Sequence, residues 1–366
     1  MTAPVATQMV ARLPFLRARW AVVRASEPII AIAIALLVGA IVIALIGESP
    51  IVAYRTLFQY SVGSLPALAQ SLQVAMPMIL VGIGMGLAFK TGVINIGGEG
   101  QMIFGALAAA ILGHALGDLP LFLLLPLIIV AGCLAGAGWA LLSGWWYVSF
   151  NVPVVITSLL LNYIAVLFGT YLVTYPLRDT SGGSNVAKSV AVAPSLTSEP
   201  LIAGSTLNYY ALALIIVPLV LIFFLGRTVT GYRMRMAGLN PNFAEYGGIS
   251  KRGMALGIML LSGAVCGVAG TLYVVGDTHR YIDGSINLPI IAWLGLVASM
   301  LALYHPGYTI LTGLFIGALQ VGGTGLQLET SVPLQLVSII QATLILTISA
   351  RIALGAWARR ALKVGS

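Results

Sequence analysis

The stretch FKTGVINIGGEGQMIFGAL, residues 89–107, breaks a chain that is otherwise strongly apolar. It holds Lys90, Asn95, Glu99 and Gln101 among five glycines, and a long hydrophobic run lies on each side of it. A charge at the centre of a membrane-spanning helix costs roughly 2.5 to 3.5 kcal/mol, so polar side chains here need a partner or a use. The stretch therefore predicts a turn between two membrane-spanning helices, and its polar residues are the first candidates for a functional site.

The composition of the chain is that of an integral membrane protein. Of its 366 residues 59% are hydrophobic and 8% are charged, whereas a soluble domain has about 45 to 50% apolar and about 25% charged residues. Apolar runs of about 18 to 25 residues recur, and each is long enough as a helix to cross a hydrocarbon core of about 30 Å. Since backbone groups in lipid must satisfy one another, the predicted fold class is an all-α polytopic membrane protein.

The apolar runs predict about ten transmembrane helices. Their approximate bounds are 28–46, 66–89, 99–116, 121–142, 153–175, 208–226, 254–275, 288–303, 308–323 and 333–351. With a cytoplasmic N-terminus, fourteen of the 18 lysines and arginines lie on the inner side. The four on the outer side are Arg55, Arg178, Lys188 and Arg280. This asymmetry follows the positive-inside rule, predicts that both termini are cytoplasmic, and assigns the net charge to topology rather than to nucleic-acid binding.

The chain is predicted to be a single transmembrane domain, residues 1–366, with three segments outside the bilayer. These are a basic cytoplasmic tail, 1–27, an extracytoplasmic loop, 176–207, and a cytoplasmic loop, 227–253. Within the domain, GLAFKTG followed by FGAL at 104–107 resembles MLALYHPG followed by IGAL at 316–319, with turns expected at Gly92 and Gly307. Interrupted hydrophobic segments at matching positions are typical of transporters built from two repeats.

Small-residue spacing indicates where helices pack closely. The pairs are Gly132 with Gly136 and Gly263 with Gly267, and Gly270 follows one turn later. In lipid, such spacing lets two helix backbones approach and gain dispersion contacts and weak hydrogen bonds. These glycines predict a multi-helix bundle and carry no information about a substrate.

The polar residues in and near the opening stretch have two readings. Asn95, Glu99 and Gln101 could line a polar cavity, or Glu99 could cap the next helix while Asn95 closes the preceding turn. In the fifth predicted span, Thr157 and Asn162 lie near one helical face, and the same choice between cavity lining and interhelical hydrogen bonding applies. All five are candidates for the substrate path.

No catalytic or metal site is predicted. The three histidines are scattered without a carboxylate or cysteine at ligand spacing. No ATP-binding loop GxxxxGK[ST], nucleophile elbow or HExxH helix occurs in the sequence. The chain is therefore not expected to be an enzyme, and any ATP that drives it must be hydrolysed by another subunit.

The inner segment 227–253 is the most polar part of the sequence. Asn240-Pro241 is a helix-start signal, and Gly247-Gly248-Ile249 is a stop signal, so a short cytoplasmic helix is predicted over 241–246. It is either an ordinary connection or a docking element for a partner protein.

Five segments, taken in order, carry a family resemblance. They are GLAFKTGVINIGGEGQMIFGA, LLLNYIA at 159–165, YPLRDTSGG at 175–183, GRTVTGYRMRMAGLNPNFAEYGGI at 226–249 and LSGAVCGVAG at 261–270. Together they resemble the permease subunits of bacterial ATP-binding-cassette importers for nucleosides and simple sugars, in the superfamily of ribose and branched-chain amino-acid permeases. The resemblance covers roughly residues 65–350.

This resemblance implies which partners, cofactors and membrane belong with the chain. The expected partners are a second permease subunit, identical or homologous, two cytoplasmic ATP-binding subunits, an extracytoplasmic substrate-binding protein and the lipid of a bacterial inner membrane. ATP and Mg²⁺ would bind at the partner subunits, and this chain would bind no cofactor. The family also implies two inverted repeats, spans 2–5 and 7–10, and makes 227–253 the coupling loop. The coupling residues would be Gly238, Asn240, Pro241, Glu245 and Gly248.

The implied function is the ATP-driven import of nucleosides by alternating access. A simple sugar such as ribose is the alternative substrate, and an ion-coupled carrier with Glu99 as its buried acid is a third reading. Two places depart from the family pattern, Asn151-Val152-Pro153 and the segment 283–289. Asn287 in the second is a further candidate for the substrate path.

Overall fold

The computed structural model describes residues 32–181, 186–330, 335–340, 342–343 and 346–347, and these are helical apart from connections and two isolated β-bridges. The predicted tail 1–27 and the end of the tenth predicted span lie outside the described residues. The chain divides into two compact units. One is residues 55–328, and the other draws on 1–54 and 329–366; in the latter the Tyr54 hydroxyl donates to the carbonyl of Leu36.

We number the longer helices in chain order. They are α1 (Ile32–Leu45), α2 (Pro50–Val62), α3 (Leu65–Lys90), α4 (Gly98–Ala115), α5 (Leu121–Phe150), α6 (Val154–Thr174), α7 (Ala213–Arg227), α8 (Val229–Leu239), α9 (Pro241–Tyr246), α10 (Lys251–Tyr273), α11 (Ile291–Leu301) and α12 (Pro306–Glu329). A π-helical turn, Val274–Thr278, extends α10, and residues 335–340 are also helical.

Among the residues that the structure describes, six helical segments are long and apolar enough to cross a membrane. They are Leu65–Lys90, Leu121–Phe150, Val154–Thr174, Tyr209–Arg227, Lys251–Thr278 and Pro306–Glu329. The predicted fold class, a helical multi-pass membrane protein, agrees with this, but the count of ten spans is not confirmed, because α1 and α11 are short and α4 carries polar residues in its first turn. Helix α2 lies where the sequence predicted no helix; Pro50 at its first position is the start signal that was missed.

Helix α10 lies at the centre of the larger unit and contacts α3, α4 and α5. The predicted glycine pairs mediate the contacts of α10 with α5 and α4. A Cβ on Gly263 would overlap the carbonyl of Gly136, and one on Gly267 would overlap the carbonyl of Gly132. On the other side of α10, a Cβ on Gly105 of α4 would overlap the carbonyl of Gly267. The prediction of close packing at these glycines is therefore confirmed.

The described parts of the loop 176–207 are held against the segment that follows α10. Arg280 pairs with Asp179 at 2.9 Å, and Lys188 forms an isolated bridge with Ile282. Hydrogen bonds from Ser181, and then the charges of Arg280 and Lys188, hold the pKa of Asp179 below its usual value. This part of the loop is thus an ordered cap over one end of the bundle.

The two similar sequence segments lie side by side. The ring of Phe89, in the first, stacks on the ring of Tyr304, in the second, with centroids 5.3 Å apart. Inverted repeats place equivalent residues at opposite faces of the membrane, so this similarity is not a mark of inversion. The turn predicted at Gly307 is also wrong: the chain turns at Leu303 and Tyr304, which have positive φ, and Gly307 lies inside α12.

Candidate functional site

The polar stretch of the sequence forms a tight turn between α3 and α4. Helix α3 ends with the N–H of Val93 donating to the carbonyl of Ala88 at 3.0 Å and that of Gly92 donating to Phe89 at 3.0 Å. Gly92 has a φ of +85°, a conformation that favours glycine. The chain then runs through Asn95 to the start of α4, so the predicted turn is present and non-helical over 91–97.

Asn95 is the centre of the turn and is fully buried. Its Nδ2 donates to the Oγ of Ser262 in α10 at 2.8 Å and to the Oε1 of Gln101 at 3.2 Å. Its Oδ1 accepts from the N–H of Gly97 at 2.8 Å and from the Nε2 of Gln101 at 3.1 Å. The amide therefore joins the turn, the first turns of α4 and the middle of α10.

Helix α6 holds the other side of the same turn. Asn162 donates from Nδ2 to the carbonyl of Ile96 at 2.9 Å and accepts at Oδ1 from the N–H of Gly100 at 2.9 Å. Ser158 accepts from the N–H of Ile96 at 3.2 Å. Backbone groups freed by the break in the helix are thus satisfied by side chains, as buried irregular backbone requires.

The remaining substrate-path candidates are placed differently. Thr157 donates to the carbonyl of Val154, one turn back, and so satisfies itself within α6. Glu99 lies in the first turn of α4, half-buried and close to Trp293 of α11. Asn287 lies at the far end of the bundle, near Asp283.

The contacts of α6 show how far Asn287 lies from the turn 91–97. Asn162 contacts the turn 91–97, and Thr170, eight residues further along α6, donates to Asp283 at 2.7 Å. Eight helical residues span about 12 Å. The structure therefore brings together Asn95, Gln101 and Asn162, and it does not bring Asn287 to them.

Several residues of this site were missed from the sequence. Ser262 lies among the small residues of α10, so the sequence indicated only close helix packing there. Trp293 is an ordinary residue of an apolar run, which carries no signal of a site. Trp139 stacks on Phe104 with centroids 3.9 Å apart, and its buried Nε1 has no hydrogen-bond partner among the described residues. Only the structure shows that the indole N–H of Trp139 is unpaired among the described residues, because nothing in the apolar sequence around it indicates this.

The inner loop contains the predicted short helix, and its bounds, Pro241–Tyr246, match the prediction. Asn240 caps it by accepting from the N–H of Phe243 at 3.1 Å. At the other end Gly248 has a φ of +79°, and the N–H of Ile249 donates to Ala244 at 3.0 Å. These are the bonds of a Schellman motif, so both ends of α9 are closed by local sequence.

The predicted coupling residues shape this loop. A Cβ on Gly238 would overlap the carbonyl of Lys90, so α8 packs directly on the end of α3. Glu245 pairs with Lys251 at 2.7 Å, and both side chains remain exposed. The exposed aromatic residues of α9 are Phe243 and Tyr246, the latter 94% exposed, and neither was predicted to have a role.

Chemically, the turn offers amides, hydroxyls and one carboxylate. Among the described residues there is no group of three metal-ligating side chains. The arrangement can fix a bent membrane segment and pass a movement of α8 to it through the Gly238 contact.

Comparison with known proteins agrees with this architecture. Residues 67–349 match the family model described as "Branched-chain amino acid transport system / permease component". The chain is 28% identical to the nucleoside ABC transporter permease protein NupB of Lactococcus lactis, over 88% of this chain and 90% of the relative. It is 28% identical to the guanosine ABC transporter permease protein NupP of Bacillus subtilis, over 89% and 93%.

A third relative is the glucose ABC transporter permease protein TsgB13 of Haloferax volcanii, 31% identical over 87% of this chain and 85% of the relative. No solved structure matches the chain. The family model covers most of the sequence, including the turn 91–97, α6, the inner loop and α10. The chain therefore belongs to the permease components of the branched-chain amino acid transport system family, multi-pass membrane proteins that act within ABC transporter complexes.

Proposed function

We propose that the chain is the permease subunit of an ATP-driven importer that moves nucleosides across the cytoplasmic membrane by alternating access. The observation that carries the proposal is the direct contact between the inner loop and the polar turn. Because Gly238 packs on the carbonyl of Lys90, a partner that moves α9 also moves α8 and the end of α3. The turn 91–97 begins at the next residue. A force applied at α9 therefore reaches the bent segment between α3 and α4.

Nucleosides are the leading substrate because two relatives that align over most of the chain are named for nucleoside or guanosine transport. A simple sugar is the second candidate, since the relative named for glucose is 31% identical. Both are neutral solutes, which suits a turn built from amides and hydroxyls. An ion-driven carrier would need a buried acid, for which Glu99 is the candidate.

The substrate path that we propose contains the same residues that were predicted from the sequence. They differ in how accessible they are to a solute. Asn95, Gln101 and Asn162 are buried and engaged in bracing the turn, and Thr157 is satisfied within its helix. Glu99 is half-buried beside Trp293 and is the best placed of the group at the turn to meet a solute. Asn287 would meet it near the other end of the path.

We propose ten spans arranged as two inverted repeats, spans 2–5 and 7–10. Reciprocal glycine contacts support this arrangement. Gly82 of α3 meets Gly295 of α11, and Gly267 of α10 meets Gly105 of α4. Gly267 follows Gly82 by 185 residues and Gly295 follows Gly105 by 190. A pseudo-two-fold axis between α3 and α10 would exchange the two contacts.

The proposed complex contains a second permease subunit, two cytoplasmic ATP-binding subunits and an extracytoplasmic binding protein in a bacterial inner membrane. Both termini and the loop 227–253 would be cytoplasmic, with residues 176–207 on the outer side of one permease domain. ATP and Mg²⁺ would bind to the ATP-binding subunits. The coupling role of Gly238, Asn240, Pro241, Glu245 and Gly248 would be to fix α9 in position for docking.

The proposal is tested by transport in liposomes. We expect radiolabelled uridine or adenosine to accumulate only when the permease is reconstituted with its ATP-binding subunits, the binding protein and ATP. Uptake of radiolabelled glucose or ribose in the same liposomes separates the two substrate classes, because only a sugar permease would accumulate them. Uptake driven by an ion gradient without ATP would contradict the main proposal.

Docking of the ATP-binding subunit should depend on the exposed face of α9. Tyr246→Ala should weaken co-purification of that subunit about 30-fold, because truncating an aromatic anchor of an interface costs about 2 kcal/mol. Glu245→Arg should weaken it as well, by reversing an exposed charge of the same short helix. Affinity is measured with the permease in detergent.

Tyr232→Ala is the matched control, since Tyr232 is an exposed tyrosine of the preceding helix α8. It should leave docking unchanged. Full assembly by Tyr246→Ala would show that α9 is not the docking element.

A further inference from the structure

A cavity of about 220 Å³ opens where four helices meet at the end of the bundle that carries the inner loop. The end of α3, the end of α7, the middle of α8 and the start of α12 form its walls. Its apolar wall consists of Leu87, Ile222, Leu225, Met234 and Pro306. Its polar wall consists of Lys90, Thr91, Arg235 and His305.

The polar wall is cationic and has no acidic residue to balance it. Neither Lys90 nor Arg235 has a carboxylate within ion-pair distance in the part of the chain that the structure describes, where the recorded pairs are Lys251 with Glu245 and Arg280 with Asp179. Burial, and then the charge of Lys90, lower the pKa of His305. The potential inside the cavity is therefore positive.

The two cations are held in place by the fold. Arg235 donates from one guanidinium nitrogen to the carbonyl of Leu225 near the end of α7, which fixes the group and leaves its other donors free. Pro306 begins α12, so the positive end of that helix dipole faces this wall. The ends of α3 and α7 also line the cavity, and Lys90 and Arg235 lie beside these negative dipole ends. The net positive charge of this small space therefore comes from the side chains of Lys90 and Arg235.

We propose that this cavity binds the phosphate group of an anionic phospholipid. Lys90 and Arg235 would contact the phosphate, and the apolar wall from α7 and α12 would contact the glycerol and the first acyl carbons. A basic pocket between membrane helices beside an apolar wall has the chemistry of a lipid headgroup site. Its residues all lie in segments predicted to be cytoplasmic or to end there, which places the site in the inner leaflet.

The site adjoins the contact that passes motion from the inner loop to the turn. Arg235 is in α8, and Gly238, one turn later, packs on the carbonyl of Lys90. A phosphate bridging Lys90 and Arg235 would hold α8 against α3. This inference concerns lipid binding and does not depend on which solute is transported.

The test measures the lipid retained by the full-length permease. The protein is purified in detergent, exchanged with vesicles of phosphatidylglycerol and phosphatidylcholine, and examined by native mass spectrometry. The wild type should retain phosphatidylglycerol preferentially, and Lys90→Gln combined with Arg235→Gln should lower that preference roughly tenfold. Lys90→Arg should keep it, because the charge is retained.

Arg235→Gln is also measured alone, and Arg233→Gln is its matched control. It removes the same charge from the same helix, but Arg233 is exposed and does not line the cavity. The proposal requires this variant to keep the wild-type preference, and equal loss in both variants would overturn it. A thermal unfolding curve of each variant shows whether the fold is retained.

A second arm separates lipid from soluble phosphate. If excess inorganic phosphate leaves the retained phosphatidylglycerol unchanged, the site takes a lipid headgroup, as proposed. If the permease shows no lipid preference and binds inorganic phosphate through Lys90 and Arg235 instead, the lipid assignment is wrong.

Discussion

Gly267→Val should abolish the folded permease, with a loss of stability of about 3 kcal/mol or more. Gly267 lies in α10 where two other helices approach within contact of its backbone. A Cβ there would overlap the carbonyl of Gly132 in α5 and would lie 3.0 Å from the Cα of Gly136, and the carbonyl of Gly267 itself faces Gly105 in α4. Since the obstructing atoms are backbone, no side-chain rotation relieves the overlap, and the helices must separate.

The measurement is the yield of monodisperse protein and its thermal unfolding in detergent. Gly257→Val is the control, because Gly257 is in the same helix and has no atom within 4 Å of the position of an added Cβ. It should change stability by no more than about 1 kcal/mol, since valine has a helix propensity comparable with that of other ordinary residues. A well-folded Gly267→Val protein would show that α4, α5 and α10 are not packed as described.

The small-residue spacing made this packing predictable in part. Gly132, Gly136, Gly263 and Gly267 could be assigned to helix contacts because in lipid only close backbone approach gains energy from such a pattern. What spacing alone does not provide is the partner of each glycine. That α5 and α4 share α10 follows from three-dimensional contacts between residues more than a hundred positions apart.

Local signals predicted local structure well. The caps of α9 were readable because Asn240-Pro241 and Gly248 act on their immediate neighbours. The similarity between 86–92 and 300–307 is also local, and it was misleading as a sign of a repeat. It reflects two chain segments that both end at one side of the bundle, where Phe89 stacks on Tyr304, rather than a symmetry of the fold.

The sequence predicted which amide residues form the polar site, but it did not predict whether they brace the turn or contact a substrate. Asn95, Gln101 and Asn162 stood out because amides in apolar runs need partners. Their actual partners include a serine and backbone groups of other helices, which a sequence does not reveal. The structure favours the bracing interpretation for this conformation, because the side chains are buried and their hydrogen bonds are made.

Asn95→Leu should destabilise the permease by about 3 kcal/mol. The change removes four hydrogen bonds and leaves Ser262, Gln101 and the N–H of Gly97 without the amide that joins them. Interhelical hydrogen bonds in membrane proteins contribute about 0.6 kcal/mol on average and up to about 1.7, and an unsatisfied buried group adds its own cost of about 1 to 3 kcal/mol. Thermal unfolding in detergent measures the loss.

Asn287→Leu is the control for the same chemical change. Asn287 is a candidate for the substrate path that is only partly buried and lies away from the turn. Its replacement should change stability by less than about 0.5 kcal/mol. A similar loss in both variants would show that the hydrogen bonds around Asn95 contribute no more to stability than a partly buried asparagine elsewhere does.

The same variants distinguish bracing from substrate contact. If Asn95 braces the turn, its coupling to Ser262 in a double-mutant cycle of Asn95→Ala and Ser262→Ala should be about 0.5 kcal/mol or more. The surviving folded fraction should then transport with an unchanged KM. If Asn95 binds the solute, KM should rise for Asn95→Ala and stay unchanged for Ser262→Ala. Because Ser262 is fully buried and accepts a hydrogen bond from Asn95, coupling in stability with an unchanged KM is the outcome expected of an amide that serves the fold.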